Sequence, residues 1–183
     1  MTDSSMDIQT FLDQCAGKWF SQRTSYSFSK ELADNNKTEL QIERLSQSHP
    51  TVLSLCQAGN FDPNLTLGGT QVTWDSPAAW DQSSQQGSTT LILLPDQSKP
   101  HSGQLLQAVA QNPNSLLLGR YLLGQDEALT LILEKGATHW EERIWFASPN
   151  LRLRSSLIVA DDGNRTTAFY SEIRRVPPKK AEA

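Results

Sequence analysis

The sequence predicts a mainly β protein with about ten antiparallel strands, one helix before the first strand and a second short helix after the second. Three observations predict it. From Ser88 onward, short apolar runs recur roughly every 12 residues, a spacing typical of a sandwich or barrel. Turn signals separate them: Pro95-Asp96, Asn112-Pro113-Asn114, Gly124-Gln125-Asp126 and Asp161-Asp162-Gly163-Asn164. Helical periodicity is confined to two segments before that point.

The first helix is predicted over residues 5–16, where Ile8, Phe11, Leu12 and Cys15 repeat at i, i+3, i+4 and i+7. Ser4 or Ser5 can cap it, and Gly17 is a natural stop. Lys18–Lys30 changes to period two, with Trp19, Arg23 and Ser25 on one face and Phe20, Tyr26 and Phe28 on the other. Arg23 is the lone charge on the Trp19 face, and a solvated arginine on an outer face is its simplest reading. Asp34-Asn35-Asn36 reads as a turn and Thr38–Leu45 as the returning strand.

His49-Pro50 opens the second helix, because proline suits the first helical position. Val52, Leu53, Leu55 and Cys56 form its apolar side, and Gly59 ends it. Residues 69–74 form a strand, and the Ser-, Gln- and Asp-rich stretch 75–87 is expected to be a mobile loop. Further strands are predicted at 88–94, 103–109, 115–123, 128–134 and 166–173. The stretch SGQLLQAVAQNP also admits a helix.

The most informative stretch is the predicted hairpin at 141–156, EERIWFASPNLRLRSS. Its second strand alternates Leu151, Leu153, Ser155 and Leu157 against Arg152, Arg154, Ser156 and Ile158. Two guanidiniums on one sheet face can hold carboxylates or phosphates. The residues leave two registers open. The usual antiparallel arrangement turns leucine inward and arginine to water. A three-residue loop at 148–150 would instead pair Ala147 with Leu151 and place Phe146, Ile144 and Glu142 opposite Arg152, Arg154 and Ser156.

At 183 residues the chain suits one domain, expected over 1–176, followed by a disordered tail at 177–183. A chain this long buries about 70% of its unfolded surface. A net charge of −4 argues against a general nucleic-acid or membrane-surface binder. There is no apolar run long enough for a membrane helix and no signal-peptide pattern, so a cytosolic location is expected. Cys15 and Cys56 are too few for a disulfide framework or zinc site and read as reduced core residues. His49, His101 and His139 lack metal-ligand spacing, and no nucleophile elbow, Walker loop or dinucleotide fingerprint is present. The residues alone therefore describe a β domain able to hold one ligand in a small lumen.

Three stretches together, AGKWFSQRTSY (16–26), ERLSQSHPTVLSLCQ (43–57) and EERIWFASPNLRLRSS (141–156), resemble the S-type (CpcS/CpeS) phycobiliprotein lyases. The resemblance runs from about Asp7 to Val176. It implies a ten-stranded antiparallel, lipocalin-like barrel with an N-terminal helix and a second short helix. It implies a phycobiliprotein lyase that binds an open-chain bilin such as phycocyanobilin or phycoerythrobilin. The pigment is a substrate rather than a permanent cofactor, and it is attached by a thioether to a cysteine of phycocyanin, allophycocyanin or phycoerythrin. A non-catalytic carrier or a supporting subunit of a heteromeric lyase is the alternative, and a homodimer or heterodimer with a homologous lyase is plausible on family grounds. Glu142, Arg152 and Arg154 match the catalytic group, and Arg23, Trp74, Trp145, Ser156, Tyr26 and Asn150 match pigment contacts. This grouping needs Glu142, Arg152, Arg154 and Ser156 on one face, which favours the odd-loop register.

Overall fold

The computed structural model describes residues 6–76, 85–110 and 113–176. The elements are α1 (Ile8–Cys15), β1 (Gly17–Ser27), β2 (Leu32–Leu45), α2 (Pro50–Gly59), β3 (Gly69–Ser76), β4 (Gln85–Pro95), β5 (Ser102–Val109), β6 (Leu117–Leu123), β7 (Leu129–Lys135), β8 (Thr138–Ser148), β9 (Leu151–Val159) and β10 (Arg165–Arg174). Each strand pairs antiparallel with its sequence neighbours, and β1 closes the ring on β10. The expected ten-stranded barrel with two helices is therefore the observed fold, and 102–109 is a strand rather than a helix.

The barrel has a closed end and an open end. Helix α1 plugs the closed end by burying Ile8, Phe11, Leu12 and Cys15. These pack with Trp19, Leu40, Tyr121 and Leu129 from the lower lumen. Burial pushes the Tyr121 phenol up to about 12 and also raises the Cys15 thiol. Both cysteines are free and buried, as read from the sequence. The N-cap of α1 is Asp7, whose carboxylate accepts from the Thr10 amide at 2.7 Å, so the helix starts later than predicted. Helix α2 lies outside the barrel. It buries Val52, Leu55 and Cys56 against Ile92, Leu106 and Ala108 of β4 and β5. Leu53 points to solvent instead, and Asn60 ends the helix with φ 57°.

Two sequence-based boundaries change. Asp34, Asn35 and Asn36 are not a turn but lie in β2, opposite Ser25, Thr24 and Arg23. Cross-strand polar pairs hold them there: Arg23 donates to Asp34 at 2.6 Å and Thr24 to Asn35 at 2.8 Å. The reversal comes earlier, where Glu31 adopts φ 49°. Strands β3 and β4 also run into the expected loop, with Asp75 paired to Gln86 and Ser76 to Gln85. The rest of that loop and the expected tail lie outside the described residues.

Arg174 ties the closed end together. Its guanidinium donates to the Ala16 and Gln14 carbonyls at 2.6 and 2.5 Å, to the Pro149 carbonyl at 3.2 Å, and lies 4.1 Å over the Trp19 ring. It thus satisfies the last carbonyls of α1 and links the helix to the β8–β9 turn. Arg174→Ala is expected to lower stability by about 2 kcal/mol, in line with loss of charged hydrogen bonds. Urea unfolding measures this, and an unchanged midpoint would contradict the clamp.

Candidate functional site

The site grows from the register of the β8–β9 hairpin. Phe146 pairs with Arg152, Ile144 with Arg154 and Glu142 with Ser156. The turn itself differs from the expected three-residue loop. Ser148, not Ala147, pairs with Leu151, and the register shifts between Phe146 and Ser148. One extra residue in a bulge has the same parity effect as an odd loop. Consequently Arg152 and Arg154 face the lumen, and the leucines of β9 face outward.

Burying two guanidiniums requires compensation, and Glu172 of β10 supplies it. Its side chain is 0% exposed. Arg152 Nε donates to Glu172 Oε2 at 2.6 Å, and Arg154 Nη2 lies 3.3 Å from Oε1. The Ser21 hydroxyl adds a bond at 3.2 Å. Arg154 Nη1 donates to Glu142 Oε1 at 2.6 Å, and its guanidinium lies 3.7 Å over the Tyr170 ring. Burial disfavours the Glu172 carboxylate, but Arg154 and Arg152 outweigh it and hold its pKa below the ordinary value. Burial likewise opposes the charge on Arg154, yet Glu142 and Glu172 drive its pKa further up. Glu172, Arg152 and Arg154 are therefore ionised at neutral pH.

Above this network is a cavity of about 370 Å³, within the size range of small-molecule sites. Its deep wall is apolar, with Leu12, Leu40, Leu129 and Ile144; Arg23, Asn36, Trp74 and Thr89 line it nearer the open end. Arg23 thus faces inward rather than to solvent. Its Nε and that of Arg154 are buried without a hydrogen-bond partner among the described residues. Trp74 lies across Gly87, its cross-strand partner: a Cβ at Gly87 would sit 2.2 Å from the indole. The glycine is what leaves room for the ring there.

A family model described as CpeS-like protein matches residues 7–175. The chain belongs to that family. It is 43% identical over 169 residues to a protein of Thermosynechococcus vestitus named chromophore lyase CpcS/CpeS, covering 92% of this chain and 93% of the relative. A Synechocystis protein of the same name, numbered 1, is 40% identical over 95% and 94% of the two chains. The phycocyanobilin lyase subunit CpcS of Picosynechococcus is 33% identical over 93% and 87%. Among solved structures, the S-type phycobiliprotein lyase CPES of Guillardia theta superposes with a TM-score of 0.83 at 26% identity, covering 94% of each chain.

In this CpeS-like barrel, Glu142, Arg152, Arg154, Arg23 and Trp74 all line the main cavity. Ser156 lines an adjoining chamber together with Glu142. Three expected contacts are corrected. Trp145 points out of the barrel and packs near Phe169, with ring centroids 6.3 Å apart, because its odd position falls on the face opposite Glu142. Tyr26 is on the outer face of β1, edge-on to Phe28 at 5.1 Å. Asn150 sits in the exposed turn at the closed end, where its carbonyl accepts from the Arg174 amide. Glu172 was missed by sequence reasoning. Its signal was the alternation Ala168, Tyr170, Glu172 in β10, which reads as an outer face until Arg152 and Arg154 are known to point inward.

Removing Glu172 leaves two buried guanidiniums short of a partner. Glu172→Gln in this CpeS-like protein is expected to cost about 3–5 kcal/mol. The native carboxyl titrates below the ordinary carboxylate value of 4.5, so its stabilisation is present above that pH and is lost as pH falls through the lowered native value. Wild type should therefore lose stability more steeply than the variant below about pH 4.5. Urea unfolding over a pH series tests both expectations; parallel pH profiles would contradict the ionised network.

Proposed function

We propose that this protein is a phycobiliprotein lyase: it holds an open-chain bilin in the barrel lumen and delivers it to a cysteine of a phycobiliprotein subunit, forming a thioether. The observation that carries this reading is a lumen with an apolar floor and three inward guanidiniums, those of Arg23, Arg152 and Arg154. A bilin has a long apolar π-system and two propionates, so it needs both features. The resident charges favour exchange over simple addition. Arg23 is already paired with Asp34, and Arg154 with Glu142. A propionate that reaches Arg154 competes with Glu142 for the guanidinium. The released Glu142 carboxylate then turns to the pyrrole N–H groups, where it orients the pigment and shares a proton with it. A protonated conjugated system is the better electrophile. The acceptor thiol adds to it, the sulfur–carbon bond forms, the thiol proton ends on the pigment and nothing leaves. Trp74 supplies flat apolar surface. The lyase works through positioning and exclusion of water.

The partners in this reading are phycocyanin, allophycocyanin or phycoerythrin subunits, with the lyase acting as a homodimer or beside a homologous subunit. The site of action is the cyanobacterial cytosol or a plastid stroma. A relative named as a lyase subunit makes the second reading concrete: a bilin carrier that supports another, active subunit.

Co-expression with bilin-forming enzymes and an acceptor subunit separates the two. A zinc-fluorescent acceptor band on a denaturing gel, dependent on this chain, is expected. Pigment that co-purifies with this protein without such a band supports the carrier reading. No bound pigment and no band reject both. Within the lyase reading, Glu142→Gln is expected to slow transfer by about a hundredfold while leaving pigment binding largely intact. Arg154→Ala should weaken binding itself by about tenfold or more, measured by absorbance titration. Equal loss of binding and transfer in the Glu142 variant would remove its chemical role.

A further inference from the structure

The lumen is not a single space. Beside the 370 Å³ cavity is a second chamber of about 170 Å³ toward the β5–β9 side of the open end. Four residues line both spaces: Gln107, Leu131, Glu142 and Tyr170. They stand at the boundary between the two. Tyr170 is centrally placed in this boundary, since its register partners are Arg23 on β1 and Arg154 on β9. Its ring is braced by the Arg154 guanidinium at 3.7 Å, and Arg154 is itself held by Glu142. The divider is therefore made of the same ion pair that a bound carboxylate would disturb.

The second chamber has its own chemistry. Leu117, Leu133, Trp140 and Ile158 give it apolar walls. Besides the Glu141 and Glu142 carboxylates, two neutral polar side chains line it, the Gln107 amide and the Ser156 hydroxyl. Neither makes a side-chain hydrogen bond among the described residues. A small, mostly apolar chamber with one amide, one hydroxyl and carboxylate acceptors suits a neutral ring that carries both N–H and C=O. The terminal lactam ring of a linear tetrapyrrole is such a group. The arginines all lie on the other side of Tyr170, where the propionates would stay.

We propose that Tyr170 divides the lumen and that the chamber behind it is a subsite for one terminal lactam ring of a linear tetrapyrrole, reached when the ring of Tyr170 and the Arg154–Glu142 pair part. This rests on the bilin-lyase reading and adds to it which part of the pigment goes where. The main chamber then holds the middle and propionate-bearing part on its own, and the second chamber supplies length selectivity. Tyr170 is a positioning residue in this account: it sets how far the pigment enters.

The test uses the full chain and two ligands in absorbance titrations. One is phycocyanobilin, and the other is a two-ring dipyrromethene that carries two propionates and no lactam ring. Leu117→Trp fills the second chamber without touching the arginines, and Ser156→Ile fills it from the opposite wall in case the first variant folds poorly. Either folded variant is expected to weaken phycocyanobilin by about tenfold while dipyrromethene affinity stays within about twofold of wild type. Tyr170→Ala is expected to shift the absorption band of bound phycocyanobilin, with little change in the dipyrromethene spectrum. Equal weakening of both ligands, no weakening of either, or a wild-type protein that fails to bind the dipyrromethene would overturn the two-chamber assignment. A wild-type protein that binds the dipyrromethene but no tetrapyrrole, and shows no transfer, would instead reject the lyase reading itself.

Discussion

The buried ion network across β8, β9 and β10 is the constraint on which the rest of this barrel depends. Charge that enters a protein interior must be matched there, because desolvation of a single unpaired ion costs several kcal/mol. Here Arg152 and Arg154 are matched by Glu172 and Glu142 through bonds of 2.6 Å, with Ser21 completing the Glu172 shell. Its ion pairs link the neighbouring strands β8, β9 and β10, with partners 12 and 20 positions apart. Ser21 lies 151 positions from Glu172, so its bond forms only once β10 has closed on β1.

The network also explains an inversion in the strand pattern. In β9 and β10 the more apolar face points outward, with Leu157, Phe169 and Ile173 exposed, while arginine and glutamate point inward. A barrel built only for stability would do the reverse. Such departures from the usual pattern mark places where a ligand, rather than packing, sets the residue choice. The opposite end of the lumen keeps the ordinary rule, with Phe11, Trp19 and Leu105 at 0% exposure. A stable apolar plug and a charged, partly open upper lumen are thus separated along the barrel axis. That polarity suits a pigment with an apolar backbone and acidic side arms.

Balanced resident charges keep this site folded when it holds nothing. Each inward arginine has an acidic partner, so in the proposed reading an anionic ligand enters by exchange with Asp34 or Glu142. Such an exchange would couple binding to the freeing of Glu142 and, because Arg154 braces its ring, to Tyr170. Trp74 lies across Gly87, where any side chain would collide with the indole.

The amino-acid sequence by itself determined the number and kind of elements, because turn residues and periodicity are local properties. It also determined that Arg152, Arg154 and Ser156 share a face, since period two is a covalent consequence of strand geometry. Five of the nine expected site residues line the main cavity and Ser156 its neighbour, guided in large part by resemblance to known lyases. Local pattern could not say which face of β9 looks inward. That was decided by the bulge between Phe146 and Ser148, by the pairing of β10 with β9, which sets Glu172 beside both arginines, and by closure of the sheet. For the same reason Trp145 and Tyr26 fell outside, and Glu172 and Tyr170 emerged only in three dimensions. Alternation fixes which residues stand together; only the closed barrel decides which side of the sheet is the interior.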